Sequence, residues 1–151
     1  MYIELTSQAQ IDDLIVSQGC TTISGDVTIS NSYVGAFNLS GVTEISGRIQ
    51  TSYLEAQIWI PGLTEVIAPD LMYLDYVELI NMPALTTISF PKLTNATQLI
   101  FRLNSTVGTS VSVPSWIKGN EISILGHFTR YGFLLLFVCI QRRVDKLLML
   151  A

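Results

Sequence analysis

A repeat of about 22 residues constrains this chain more than any other feature. The string Pro61-Gly-Leu-Thr-Glu-Val-Ile-Ala-Pro69-Asp-Leu71 is echoed 22 positions later by Pro83-Ala-Leu-Thr-Thr-Ile-Ser-Phe-Pro91-Lys-Leu93. Earlier, Cys20-Thr-Thr-Ile23-Ser-Gly25-Asp-Val27 is answered at 22 by Val42-Thr-Glu-Ile45-Ser-Gly47-Arg-Ile49. Val42-Thr-Glu-Ile45 is answered in turn, at 21, by Leu63-Thr-Glu-Val66. A fixed period of this size marks a solenoid, in which one supersecondary unit is stacked on the next.

Within each unit the apolar residues recur at strand-like intervals, as in Ile23/Val27/Ile29, Ile45/Ile49, Val77/Leu79 and Leu99/Phe101/Leu103. Short alternation with β-branched and aromatic content predicts short strands with one buried face. Gly25, Gly47, Pro61-Gly62, Pro69, Pro83 and Pro91 supply the corners between them. One unit cannot hide its own apolar stripe. Stacked units bury a continuous column and pair each strand's backbone with the coil above. The expected fold is therefore mainly β: a right-handed, leucine-rich β-solenoid of about four coils. A helical solenoid is the competing reading, and recurrent Pro with abundant Thr, Ile and Val argues against it.

The pattern divides the chain into three parts. Residues 1–19 read as a short strand and a capping helix. Residues 20–107 read as the solenoid, and 108–151 as a non-repeat, basic and apolar tail. In the first part, Ser7 is the expected N-cap of a helix over about 8–17, with Ile11, Leu14 and Ile15 on one face. Such a helix would cover the open end of the column. Residues 1–6 lack the basic start and apolar run of a secretory leader.

The period is lost after Val107, so 108–115 reads as a linker or an irregular last coil. Beyond it lies the apolar run Tyr131-Gly-Phe-Leu-Leu-Leu-Phe-Val-Cys-Ile140, too short to span a bilayer unless His127 and Arg130 are included. A marginal membrane segment, a packing helix and a non-native tail are the alternatives for it. A shift this abrupt also fits a truncated or mis-spliced product.

Charge narrows the partners. Only 13% of residues are charged, about half the usual share. Residues 21–107 hold seven acidic and three basic side chains, whereas 108–151 hold two acidic and five basic ones. An acidic repeat argues against nucleic acid, whose phosphates need a basic face. The two cysteines, Cys20 and Cys139, make neither a disulfide framework nor a zinc site. Cys20 shares its place in the unit with Val42, Leu63 and Leu85. It reads as a buried small hydrophobe, or else as half of a disulfide whose partner lies elsewhere. Three sequons, at Asn38, Asn95 and Asn104, favour a secreted, glycosylated protein.

The repeated Leu-Thr-x-Ile-x-x-Pro-x-Leu unit, preceded by Cys20-Thr-Thr-Ile-Ser-Gly-Asp-Val-Thr-Ile29, carries a resemblance over about residues 3–107. It resembles the leucine-rich, receptor-L-domain-like ectodomains of fungal GPI-anchored cell-wall organisation and sporulation-specific proteins. The resemblance implies an extracellular, N-glycosylated, non-enzymatic protein of the cell surface or wall, with the same β-solenoid. The chain departs from that pattern in lacking a leader, a Ser/Thr-rich stalk with a GPI signal, and further coils. Arg142, Arg143, Asp145 and Lys146 break its apolar C-terminus, which does not suit a GPI tail. Membrane attachment is expected only through a family-type GPI anchor that this chain lacks.

Catalytic chemistry finds little footing. His127 is the only histidine and stands outside the repeat, so a Ser-His-Asp or Cys-His arrangement is not expected. No spacing suits a metal or a phosphate loop, so no cofactor is expected. Polysaccharide cleavage needs paired carboxylates. Asp70, Asp75 and Glu78 are the densest acidic group, but one coil later their places hold Lys92, Thr97 and Ile100. A solvated acidic patch accounts for them. The aromatics Tyr53, Trp59, Tyr73 and Tyr76 are a candidate binding face for sugar rings or a protein partner, against the plainer reading that they pack on neighbouring coils or scatter on the surface. The expected function is a non-catalytic surface protein that organises a fungal cell wall through a rigid repeat face, bound to wall polysaccharide or surface proteins. A ligand-binding L-domain fragment of a receptor-like protein is the alternative.

Overall fold

The computed structural model describes residues 2–51, 59–116 and 118–133. The chain is mainly β, and its parallel sheets form a β-solenoid of about five turns. The strands in chain order are β1 (Tyr2–Leu5), β2 (Thr22–Ile23), β3 (Asp26–Ile29), β4 (Val34–Asn38), β5 (Glu44–Thr51) and β6 (Gly62–Ile67). They continue with β7 (Tyr73–Ile80), β8 (Thr87–Ser89), β9 (Asn95–Arg102), β10 (Thr109–Val113), β11 (Glu121–Leu125) and β12 (Phe128–Phe133). Among the described residues these fall into two sheets. The first runs β1-β3-β5-β7-β9-β11, with β2 beside β5, and the second runs β12-β10-β8-β6-β4. Every pairing is parallel, as stacking of successive coils requires.

The core lies between the two sheets. Val27, Ile49, Val77 and Leu99 form an inward column of the first sheet, in register along the stack. Phe37, Val66, Ile88 and Val111 form the facing column of the second. All eight are at most 1% exposed. Burying a side chain of this size contributes about 1.5–3 kcal/mol, so the columns outweigh the weak contribution of surface charge.

The same corner recurs in four coils. A backbone bond closes each tight turn, from Val42 N–H to Leu39, Leu71 to Ala68, Leu93 to Phe90 and Trp116 to Val113. Pro69, Pro91 and Pro114 occupy the second position of three of these turns, where a fixed φ suits them. Threonines bridge the coils directly after turns of this kind, at the start of strands in both sheets. The Thr43, Thr86 and Thr94 hydroxyls each donate to the carbonyl 22 residues back (Thr21, Thr64 and Met72), each at 3.1 Å.

Stacking of Ile23 on Ile45 is found in the β2–β5 register, and Thr86 N–H bonds Thr64 O beside Leu63 and Leu85. The 21-residue echo does not correspond to stacking. Ile45 lies on Leu74 in the first sheet, whereas Val66 lies on Phe37 in the second. Strands of both sheets begin with a similar Thr-containing string, so the match joined opposite faces of one coil. From β5 to β7 the register advances by 28–29 residues, against 22 from β7 to β9. Cys20 therefore aligns with Val42, Leu71 and Leu93, not with Leu63 and Leu85. It is a half-buried free thiol rather than a fully buried one.

Two further expectations are corrected. The stacking runs on past Val107: β10 pairs β8, β11 pairs β9 and β12 pairs β10. Of the two readings of 108–115 the further coil holds and the linker does not: residues 109–113 are a strand, and the coil count is nearer five than four. At the other end, α1 spans only Gln8–Asp12 and passes into a π-helical segment, Asp13–Ser17. Ser7 stands at the N-cap without a side-chain bond; instead, Gln10 Oε1 accepts from the Thr6 N–H at 2.7 Å. Ile11 is buried in the core, with Leu14 and Ile15 packed against it. The apolar and basic residues after 133, Cys139 among them, lie outside the described residues.

Candidate binding face

The outward side of the first sheet holds the densest set of polar and aromatic groups. In β7 the inward residues are Leu74, Val77 and Leu79, all fully buried. Two residues separate Leu74 from Val77, so Asp75 and Tyr76 both turn outward, at the register shift between β5 and β7. Tyr73, at the strand's start, is 40% exposed. It lies in register with Glu44 on one side and Asn95 on the other. Tyr76 is half-buried between Arg48 and Gln98.

Several groups on this face are held by a neighbour one coil away or beside it. Arg48 clamps Asp26, with Nη2 and Nε at 2.8 and 3.2 Å from Oδ2, while the Arg48 N–H donates to Oδ1 at 3.0 Å. Bonding from Arg48 holds the Asp26 carboxyl below its usual range. Thr97 Oγ1 donates to Asp75 Oδ1 at 2.8 Å, and Gln98 Nε2 to Glu121 Oε2 at 3.0 Å. The Tyr76 hydroxyl is raised above its ordinary value, first by burial and then by the charge and hydrogen bond of Glu78. In the next outward column Thr28 and Ile100 are at most 7% exposed and Gln50 and Glu78 are half-buried like Tyr76, whereas Tyr73 is open. Two phenol rings set among amides, carboxylates and a guanidinium can stack on the apolar face of a pyranose and hydrogen-bond its hydroxyls.

The four aromatics singled out in the sequence are not one cluster. Tyr73 and Tyr76 share this face. Trp59 is 54% exposed beside the fully covered Ile60, whose N–H reaches Asn81 O past the far end of β7. A run of eight residues, Tyr73 to Asn81, puts it roughly 25 Å from Tyr73 along the strand direction. Tyr53 lies outside the described residues. The polar bed around Tyr76 went unread in the sequence. Its signal was the 22-residue spacing of Asp26 and Arg48, and of Tyr76 and Gln98, at outward positions.

The acidic group does not converge. Asp70 sits at the proline corner, where Lys92 Nζ stands 2.7 Å away and Gly41 N–H donates to it at 3.1 Å. Bonding from Lys92 holds its carboxyl low. Asp75 is taken by Thr97 and Glu78 by Tyr76. His127 is exposed in the turn before β12. Among the described residues no three of His, Cys, Asp and Glu stand close enough to hold a metal ion, and no helix is long and apolar enough to cross a membrane.

The sequons differ in setting. Asn104 is exposed just after β9. The Asn38 side chain accepts from the Ser40 N–H and hydroxyl at 2.9 and 2.7 Å. Asn95 is half-buried and lies beside Tyr73. No family model, no curated protein and no solved structure matches this chain.

Proposed function

We propose that this chain is a non-catalytic, surface-type solenoid of the leucine-rich L-domain kind, contributing to the organisation of a fungal cell wall. Its working part is the outer side of the first sheet, and its ligand is a wall polysaccharide. The observation that carries this reading is the pairing of Tyr73 and Tyr76 on one rigid face, between Arg48, Asn95 and Gln98. Rings held on a stacked sheet bind at low cost in lost side-chain freedom. The extracellular setting rests on the family resemblance and on the sequons. Asn104 is the glycan site best placed for it, since a glycan on Asn95 would cover Tyr73.

Co-sedimentation with insoluble β-glucan and with chitin tests the reading. The chain is expected to pellet with one of them, and Tyr73→Ala/Tyr76→Ala to stay in solution while keeping its circular dichroism spectrum. Undiminished pelleting of that double variant would overturn the face. Failure to pellet with either polymer would favour the receptor-like alternative. Release of reducing ends, abolished by Asp75→Asn, would replace both with a polysaccharide-cleaving enzyme.

A further inference from the structure

The first sheet ends at β1, and among the described residues β1 pairs with β3 alone. Among the described residues its outer edge therefore offers backbone donors and acceptors with no neighbouring strand. The second sheet is treated differently at the same end, where the Gln8 side chain occupies the edge of β4 at Asn38. No such device stands on β1 among the described residues. Between β1 and the helical segment runs an open groove of about 410 Å³, lined by Ile3, Glu4, Leu5, Gln10, Asp13 and Leu14 among others.

Burial shows that the end of the column is incompletely covered. Val27, beneath Ile3 in the register, is fully buried, whereas Ile3 and Leu14 are only half-buried. Tyr2 is 70% exposed. A strand laid along β1 would cover Ile3 and Leu14 and take up the edge hydrogen bonds. The charge of this end is one-sided. The first 47 residues hold Glu4, Asp12, Asp13, Asp26 and Glu44, and no lysine or arginine. Glu4 and Asp13 both line the groove.

We propose that the β1 edge docks an extended peptide of alternating apolar and basic residues, added as a further strand of the first sheet. Main-chain hydrogen bonds give such a complex its affinity, and alternate side-chain positions give it specificity. Apolar residues of the peptide face Ile3 and Leu14, while its basic residues face Glu4 and Asp13. A whole second copy fits less well, because α1 lies where the second sheet of an incoming coil would have to stack.

The probe is a fluorescein-labelled hexapeptide, Lys-Val-Lys-Val-Lys-Val, read by anisotropy at low and high salt. Hydrogen exchange of the Tyr2–Leu5 amides locates the site. Saturable binding is expected, with slowed exchange in β1 and a loss of at least tenfold in affinity for Glu4→Lys/Asp13→Lys. The same peptide with Glu in place of Lys should bind that double variant better than the original chain. A peptide N-methylated at alternate residues should not bind. No binding, protection away from β1, or affinity indifferent to the charge reversal would overturn the proposal. So would concentration-dependent self-association that protects β1 without any peptide, which would assign the edge to a second copy.

Discussion

Gln8 and Asn38 are joined by two hydrogen bonds of 2.9 Å each. The Gln8 amide donates to the Asn38 carbonyl, and its oxygen accepts from the Asn38 N–H. A side-chain carboxamide thus does for β4 what the peptide group of another strand would do. The buried Tyr33 hydroxyl stands 3.1 Å from the same Gln8 oxygen and 3.1 Å from Ala36 O, and burial with the nearby Asp12 charge pushes its pKa up to about 12.

Gln8→Glu keeps the shape but loses the donor, and sets a carboxylate near Asp12. It should destabilise the chain by about 1 kcal/mol, the low end of the cost of an unpaired polar group, since the Asn38 carbonyl is only part-buried. Gln8→Met should cost a similar amount and also free the β4 edge for intermolecular pairing. Thermal unfolding followed by light scattering checks both, with aggregation on heating expected at lower temperature.

Gly47 stands at a close approach of two coils. A Cβ there would run into the backbone of Gly25 and the side chain of Asp26, neither of which can move without disturbing the β3–β5 ladder. Gly47→Ala should cost at least about 2 kcal/mol, in the range of overpacked sites. Gly19→Ala meets no atom, and its cost is confined to the backbone strain of its positive φ. A larger fall in urea midpoint for Gly47→Ala than for Gly19→Ala is expected, since the close approach outweighs the backbone strain.

Thr109 is fully buried, and its hydroxyl donates to Leu85 O at 2.7 Å. Thr109→Val preserves volume but strips the carbonyl of this partner, for an expected loss of about 1–3 kcal/mol. Thr109→Ser keeps the donor and should lose less. Comparing the two by chemical unfolding separates the bond from the packing.

The Asp26–Arg48 pair gives stability a dependence on acid. The folded-state pKa of Asp26 lies below its unfolded value, so the pair's contribution is fully present above the unfolded value, about pH 4. It is lost as pH falls through the folded value. Asp70, held low by Lys92, acts in the same direction from a more exposed position. Asp26→Asn should therefore lower the urea midpoint at pH 7 and shrink the drop between pH 6 and pH 3. An unchanged drop would show that the pair is screened by solvent.

Much of this architecture is legible in the chain because stacking repeats one demand. The strings around Leu63 and Leu85 mark where strands of the second sheet begin, and Ile23 over Ile45 marks the same point in the first. What misled was the likeness between these two kinds of strand start. Thr43-Glu-Ile45 and Thr64-Glu-Val66 look alike because both follow a corner, yet they sit on opposite faces. The fifth coil was hidden because Val113-Pro-Ser-Trp116 makes the same turn as Ala68-Pro-Asp-Leu71 with a larger residue at its end. Trp116 fits because its indole N–H finds Ala96 O at 3.3 Å, which a leucine pattern could not announce. The polar bed was missed for another reason: alternation ranks residues by what they bury, and Arg48, Asn95 and Gln98 matter for what they leave open.

The β5 to β7 step is 28–29 residues long, and yet the register on either side of it is kept. Loop closure becomes only about 0.6 kcal/mol costlier with each doubling of length. Contour length at that point is thus decoupled from the lattice of the two sheets. A coil of this solenoid can therefore be six or seven residues longer than the next without disturbing it, so the two sheets and not the period of the sequence set the stack.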